Sequence, residues 1–321
     1  MFHHVDSVSS PSNHPKVSRR VMSSMKKERR DDGSAVMTET ILAVGAAGKF
    51  AGLVIPELAK RGARVRGLVH KPEQADKVRR YRAVEIAVGD IADRASLDKA
   101  LEGVTRVFYI APAFLPNEAE VGVRVVEAAQ DAGVRRFVFS SVIHPVLSEL
   151  ANHAAKAPVE DAVLTSGMEY TFLHPTVFFH NFSQSWPKAV QTGIFAEPWS
   201  ANTRFSRVDY RDVAEVAAIA LMEDRLLYGT FELCAEGWLN RNEMTAIMGE
   251  ILGRPIKAER VNPKMAAAGA GPGASALKKM FDWYDHRGLL GNALTLRAVL
   301  GREPRTLRAF LEELSTERVA Q

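Results

Sequence analysis

Gly45, Gly48 and Ala51 recur every third residue in the stretch 41–52, directly after a run of apolar residues. Ala47, Lys49 and Phe50 fill the turn between them. The apolar run reads as a short buried strand. Leu53, Val54, Ile55 and Leu58 continue at helical spacing. A strand that enters a helix through glycines leaves backbone N–H groups unpaired at the helix start, where the helix dipole also favours negative charge. A phosphate fits such a turn, and the pyrophosphate of a dinucleotide is the expected ligand. The pattern is looser than Gly-x-Gly-x-x-Gly, although alanine in the last place still permits close helix–strand packing. Taken alone, it equally describes an ordinary turn in any α/β protein, so its surroundings must decide.

The next chemistry-bearing position falls about 20 residues on, where an NAD-specific fold sets an acid against the ribose 2′-hydroxyl. Here the second strand ends Gly67-Leu68-Val69-His70-Lys71, and the nearest acid is Glu73. His70 and Lys71 are expected to meet a 2′-phosphate, which favours NADP(H) over NAD(H). A solvated lysine at a helix start is the competing reading. Asp90 and Ile91 follow the third strand. The carboxylate can accept from an adenine amino group and the isoleucine can cover the ring, or Asp90 caps a turn. Ile110, Ala111 and Pro112 end the fourth strand with small apolar groups over which a cofactor can lie flat. Pro175 stands at the end of the sixth strand, on the edge of the sheet where ligands bind.

These positions require a regular scaffold. Strands are expected at 41–44, 65–69, 83–88, 104–110, 136–140 and 170–173. Helices are expected between them at 49–61, 72–81, 94–101, 118–132 and 149–166. Short strands separated by helices imply parallel crossovers, hence an α/β fold with a doubly wound parallel sheet covered on both faces. After Pro175 the rhythm loosens into a smaller α+β lobe. Helices are expected at 178–191, 209–222 (capped by Asp209), 240–252 (closed by Gly253) and 306–314, with strands at 193–198, 230–234 and 255–261. The Ala/Gly-rich stretch 266–276 reads as a mobile loop or lid. Three segments result: an extension at 1–37, a dinucleotide-binding core at 38–175, and a substrate lobe at 176–321 that interleaves with the core. The extension is polar and aperiodic, either a disordered tail or the product of an upstream start codon used in place of Met37.

Of 321 residues, 46% are apolar and 25% charged, as in ordinary soluble proteins. No apolar run approaches the ~20 residues of a membrane helix. Seven Lys/Arg against four Asp/Glu fall in residues 1–36, so most of the net charge of +4 lies in that tail. The nearly neutral body argues against a nucleic-acid partner. One cysteine, Cys234, excludes a disulfide framework and fits a reducing, cytoplasmic setting. Four of the nine histidines fall within 144–180, but their spacing matches no metal template, and no metal is expected.

Residues 40–315 resemble the NmrA-like group of atypical short-chain dehydrogenases/reductases. The resemblance rests on the glycine turn at 44–52, Gly89-Asp90-Ile91-Ala92-Asp93 and Phe137-Val138-Phe139-Ser140-Ser141. It continues through His153-x-x-Lys156-x-x-x-Glu160, Tyr170-Thr171-Phe172-Leu173-His174-Pro175, Phe178-Phe179-His180-Asn181, the stretch 208–214 and the tail 300–307. It implies a Rossmann fold that binds NAD(P). The group includes reductases of quinones and related carbonyl or aromatic compounds, and regulators that bind the dinucleotide without chemistry. Conventional members of the superfamily carry Tyr-x-x-x-Lys. Four residues before Lys156 this chain has Asn152, which has no titratable proton. The resemblance assigns Lys156 to the nicotinamide ribose hydroxyls. His153, three residues before the lysine on one helix face, is the remaining candidate proton donor; a surface histidine beside a surface lysine is the alternative. Phe178, Phe179, Phe182 and Trp186 either line an apolar pocket or pack the core.

The expected function is an NADPH-dependent oxidoreductase that passes hydride to a small apolar or aromatic acceptor, quinone-like and conjugated. Charge delocalises in such an acceptor, so a strong general acid is not required. The alternative is a non-catalytic redox sensor acting through a protein partner. A sugar-nucleotide epimerase fits less well, since such enzymes usually retain the tyrosine. The sequence leaves the oligomeric state open.

Overall fold

The computed structural model describes residues 39–112 and 115–316. The expected extension at 1–37 lies outside the described residues. The first half alternates strand and helix, with one helix broken in two: β1 (Thr40–Ala43), α1 (Ala51–Lys60), β2 (Arg64–Val69), α2 (Ala75–Arg80), β3 (Glu85–Val88), α3 (Arg94–Leu101), β4 (Arg106–Ile110), α4 (Glu118–Asp131), β5 (Arg136–Ser140), α5 (Ala151–Ala154), α6 (Ala157–Thr165) and β6 (Glu169–Pro175). The second half is less regular: β7 (Val177–Phe178), α7 (Phe182–Thr192), β8 (Ile194–Glu197), β9 (Arg207–Val208), α8 (Tyr210–Met222), β10 (Gly229–Leu233), α9 (Arg241–Leu252), β11 (Lys257–Arg260), α10 (Pro263–Ala267), α11 (Ala274–His286), α12 (Leu294–Leu300) and α13 (Leu307–Thr316).

Seven strands pair in parallel in the order β10-β6-β5-β4-β1-β2-β3. Such a sheet must be covered on both faces, and its inner strands accordingly carry continuous apolar runs such as Val107–Tyr109 and Phe137–Phe139. One core joins Ile41, Phe108, Val138 and Leu173 to α1, α8 and α12. The other joins Leu42, Val107, Phe137 and Phe139 to α3, α4 and α6. This is the doubly wound Rossmann arrangement expected from the strand–helix rhythm. β1 lies between β4 and β2, so the chain turns outward in opposite directions from it. The crevice at the carboxyl ends of β1 and β4 is the switch point where ligands of such sheets bind.

Local chemistry fixes the element ends. Asp93 caps α3 through the Ala95 and Ser96 N–H groups, and Asp209 caps α8 through that of Arg211. Gly253 closes α9 at φ +66°, where a Cβ would be strained. Two expectations fail. The helix anticipated at 149–166 is broken into α5 and α6, because Pro158 has no N–H to give the Ala154 carbonyl and its ring crowds that carbonyl. The stretch 266–276 is not a loop. It completes α10, runs through a 3₁₀ segment at Ala268–Gly273 and starts α11. Alanine's helix propensity prevails, with the one departure at Gly271 (φ 54°, ψ −128°). Among the described residues no helix is long and apolar enough to cross a membrane. No group of three His, Cys, Asp or Glu side chains among them could hold a metal ion.

Candidate functional site

A cleft of about 390 Å³ opens at the switch point. Its floor is the glycine turn: Gly45 and Ala47 through Ala51 all line it. Gly45 sits at φ +71°. The Gly48 N–H donates to the Gly45 carbonyl at 2.8 Å, and a Cβ on Gly48 would stand 2.9 Å from that oxygen, so a side chain would disrupt the turn. The start of α1 has no side-chain cap and no acid in its first turn. Its amides and dipole therefore remain available to an anion. The residues present thus fit a dinucleotide pyrophosphate.

The turn is braced from three sides. The Ala46 N–H donates to the Leu68 carbonyl at 3.0 Å. Lys77 Nζ donates to the Ala47 carbonyl at 2.9 Å, and Lys49 Nζ to the His180 carbonyl at 2.5 Å. The Phe50 ring packs against Phe178 and Tyr210, with centroids 4.4 and 4.6 Å away. Tyr210 is fully buried, its hydroxyl 3.1 Å from Ser140 Oγ, and burial pushes its pKa up. Of the aromatic residues after Pro175, only some face the ligand side. Phe178 lines the cleft, whereas Phe179, Phe182 and Trp186 are core.

At the β2 end the wall is His70 and Gln74. Lys71 is not part of it; its backbone N–H donates to Gln74 Oε1 at 3.0 Å. With its oxygen so engaged, the Gln74 amide keeps its nitrogen as its donor group. Asp90 and Ile91 also lie off the cleft wall. The Asp90 carboxylate accepts from the Ala92 N–H at 2.8 Å, the turn-capping alternative, and Ile91 packs against the α3–α4 core. Ile110, Ala111 and Pro112 line the cleft, while Pro175 is buried in β6 without reaching it.

The far end is built by α5 and α6. Asn152 and Lys156 both line the cleft. Lys156 is buried and forms an ion pair with Glu118, the first residue of α4. Nothing in the sequence spacing joined these two, 38 residues apart. Ser141, also in the cleft wall, donates to Glu160 Oε1 at 2.5 Å, and His174 Nε2 approaches the same oxygen at 2.9 Å. His153 is not brought to the cleft. It is fully buried, its Nδ1 lies 3.2 Å from the His144 carbonyl, and its Nε2 has no partner. Burial pushes its pKa down to about 4, so it is neutral at pH 7, and its one N–H is the donor to the His144 carbonyl rather than a general acid.

Known proteins resemble the chain over this same region. A reductase of (4-alkanoyl-5-oxo-2,5-dihydrofuran-3-yl)methyl phosphate from Streptomyces griseus is 32% identical over 224 residues, covering 69% of this chain and 77% of that protein. An NAD(P)H azoreductase from Xenophilus azovorans is 28% identical over 84% of this chain and 96% of its own length. Among solved structures, an NADPH-dependent quinone oxidoreductase from Escherichia coli in complex with NADPH superposes with a TM-score of 0.76 at 22% identity, over 86% of this chain and 99% of that one. That degree of identity shows a shared fold. The NmrA-like family model matches residues 37–312, and the chain belongs to the NmrA-like family.

Proposed function

We propose that the chain is an NADPH-dependent reductase whose acceptor is a small conjugated molecule of the quinone or azo kind. The observation that carries this reading is the single cleft running from the uncapped glycine turn to Asn152 and Lys156. The names of its relatives support the same class: an azoreductase, a furan-phosphate reductase and a quinone oxidoreductase. When bound, the dinucleotide supplies the hydride. The glycine-turn amides hold its pyrophosphate, His70 and Gln74 its 2′-phosphate, and Ile110 to Pro112 support it from below. Lys156 holds the ribose. Asn152, where a conventional member has tyrosine, orients by hydrogen bonding only. An acceptor that delocalises the incoming charge suits such a site better than a simple ketone does.

Stopped-flow loss of NADPH absorbance across a quinone, enone and azo panel tests this. Turnover on at least one class is expected, with NADH a poorer donor. The missing tyrosine also favours a second reading, a dinucleotide-binding regulator. Tight NADPH binding with no turnover on any acceptor would establish that one instead.

A further inference from the structure

Beside the cleft lies a second cavity of about 380 Å³, within the range of about 300–1,000 Å³ typical of small-molecule pockets. It is walled by the first turn of α4, by Ala151, Asn152 and Ala155, and by Pro272, Gly273 and Ala276. Among the described residues, Asn152 alone lines both hollows. We propose that the second cavity is the seat of the acceptor, and that it takes an uncharged quinone with one carbonyl oxygen on the Asn152 amide. This rests on the reductase reading above.

The place follows from how the dinucleotide must lie. Its pyrophosphate takes the glycine turn and Lys156 its ribose, so the reducing end of the cofactor comes to the Asn152 end of the cleft. Hydride passes only between groups in contact, so the acceptor must sit against that end. The hollow that adjoins the cleft there is the second cavity. Its walls suit a flat ring. Ala155 and Ala276 carry only methyl groups, Gly273 has no side chain, and Leu115 and Pro272 add apolar surface. Asn152 supplies the polar contact. Its Oδ1 is buried without a partner, so the amide nitrogen is the group it can offer a ligand. An N–H donor suits a carbonyl oxygen, the atom on which charge develops as a quinone accepts hydride. The charges narrow the class further. Among the described residues no Lys, Arg or His lines the cavity, and its ionisable groups are Glu118 and Glu120. Both lie in the first turn of α4, where they offset the positive end of its dipole. Glu118 is paired with Lys156, whereas Glu120 is exposed on the rim. A sulfonate or carboxylate on the acceptor would therefore meet the Glu120 charge and find no counter-charge in the wall. An uncharged quinone escapes that repulsion. It gains one hydrogen and two electrons from NADPH, leaves as the hydroquinone monoanion and takes its proton from solvent, so the wall need not supply one.

Crystals of the wild-type protein with NADP⁺ and naphthoquinone test the place directly. The quinone should lie in the second cavity with one carbonyl oxygen within hydrogen-bond distance of Asn152. A quinone held only in the cleft, or none bound, overturns the proposal. Calorimetry on the NADP⁺ complex then tests the walls and the charge. Ala276→Trp fills the cavity from α11, away from the cleft, and should weaken naphthoquinone by about tenfold or more through overpacking. Its NADPH affinity should stay at the wild-type value, which also shows that the variant folds. Unchanged naphthoquinone affinity in that variant overturns the site. Naphthoquinone sulfonate should bind wild type about fivefold more weakly than naphthoquinone, the scale of one charge–charge contact in water, and Glu120→Lys should reverse that order. Equal affinities in wild type would overturn the uncharged class. Steady-state NADPH oxidation separates this site from the reductase reading. Wild-type protein that binds naphthoquinone in the cavity but reduces no acceptor sinks the reductase reading and leaves the quinone site standing. Turnover with the quinone KM unmoved in Ala276→Trp sinks the acceptor site and leaves the reductase.

Discussion

His153 shows how burial alone can remove a side chain from chemistry. Its imidazole loses hydration without gaining a charged partner, so its folded pKa of about 4 lies below the ordinary 6.5. As pH falls, the unfolded chain binds this proton before the folded one does. The stabilisation from a neutral His153 is therefore complete above pH 6.5 and declines as pH drops toward 4. From that shift it amounts to about 3 kcal/mol. Urea unfolding at pH 7 and pH 4.5 should show wild type losing about 2 kcal/mol more than His153→Gln over this window. Identical losses would contradict the assignment. Other residues show where sequence reading reaches its limit. The glycine turn and the small residues ending β4 were legible because backbone geometry dictates their types. Gln74 was not, since a glutamine after a strand carries no signal until Lys71 N–H fixes its amide. Glu118 was not, because an ion pair across 38 residues leaves no local period.

α5 and α6 show a signal that was present in the sequence and overridden by periodicity. The apolar spacing of 149–166 fits one helix, but Pro158 forbids it, and the resulting break makes Lys156 the N-cap residue of α6. The lysine reaches α4 from that position. The approach of the two helices depends on Gly122, since a Cβ there would collide with Val159 Cγ2 on α6. Gly122→Ala gains helix propensity worth up to about 1 kcal/mol but overpacks the interface at a cost of about 1–3 kcal/mol, so a net loss of about 1 kcal/mol is expected. Thermal or urea unfolding of Gly122→Ala and of Gly122→Ala/Val159→Ala separates the terms. The double variant should be the more stable of the two, and the reverse order would show that the contact is not limiting. The Ala/Gly segment that forms the second cavity's outer wall teaches the complementary point. Composition read as mobility where intrinsic propensity gave helical turns instead.

Across the whole molecule, the sheet was legible as parallel because its βαβ rhythm admits little else. The place of β10 beside β6 was not, because periodicity carries no strand order. The C-terminal segment is fastened to the sheet through Asp212 of α8, which has no exposure. Its carboxylate accepts from Arg302 Nη2 at 2.9 Å and the Arg305 N–H at 2.7 Å, and pairs with the Arg305 guanidinium. Both arginines are 37% exposed and can rehydrate if the carboxylate is removed, whereas the carboxylate cannot if they are. Arg302→Ala/Arg305→Ala should therefore cost about 3 kcal/mol or more and Asp212→Asn about 1–2 kcal/mol by urea unfolding. A larger loss in Asp212→Asn would refute that asymmetry. The ring stack beneath the phosphate turn has a consequence for synthesis. Phe50 leaves the ribosome early, but its partners Phe178 and Tyr210 follow only after more than 120 further residues. A nascent chain thus carries all its glycines long before it owns the aromatic platform that holds them in shape. Capture of the dinucleotide should mark the moment when Tyr210 has emerged and α8 has docked on the finished side of the sheet.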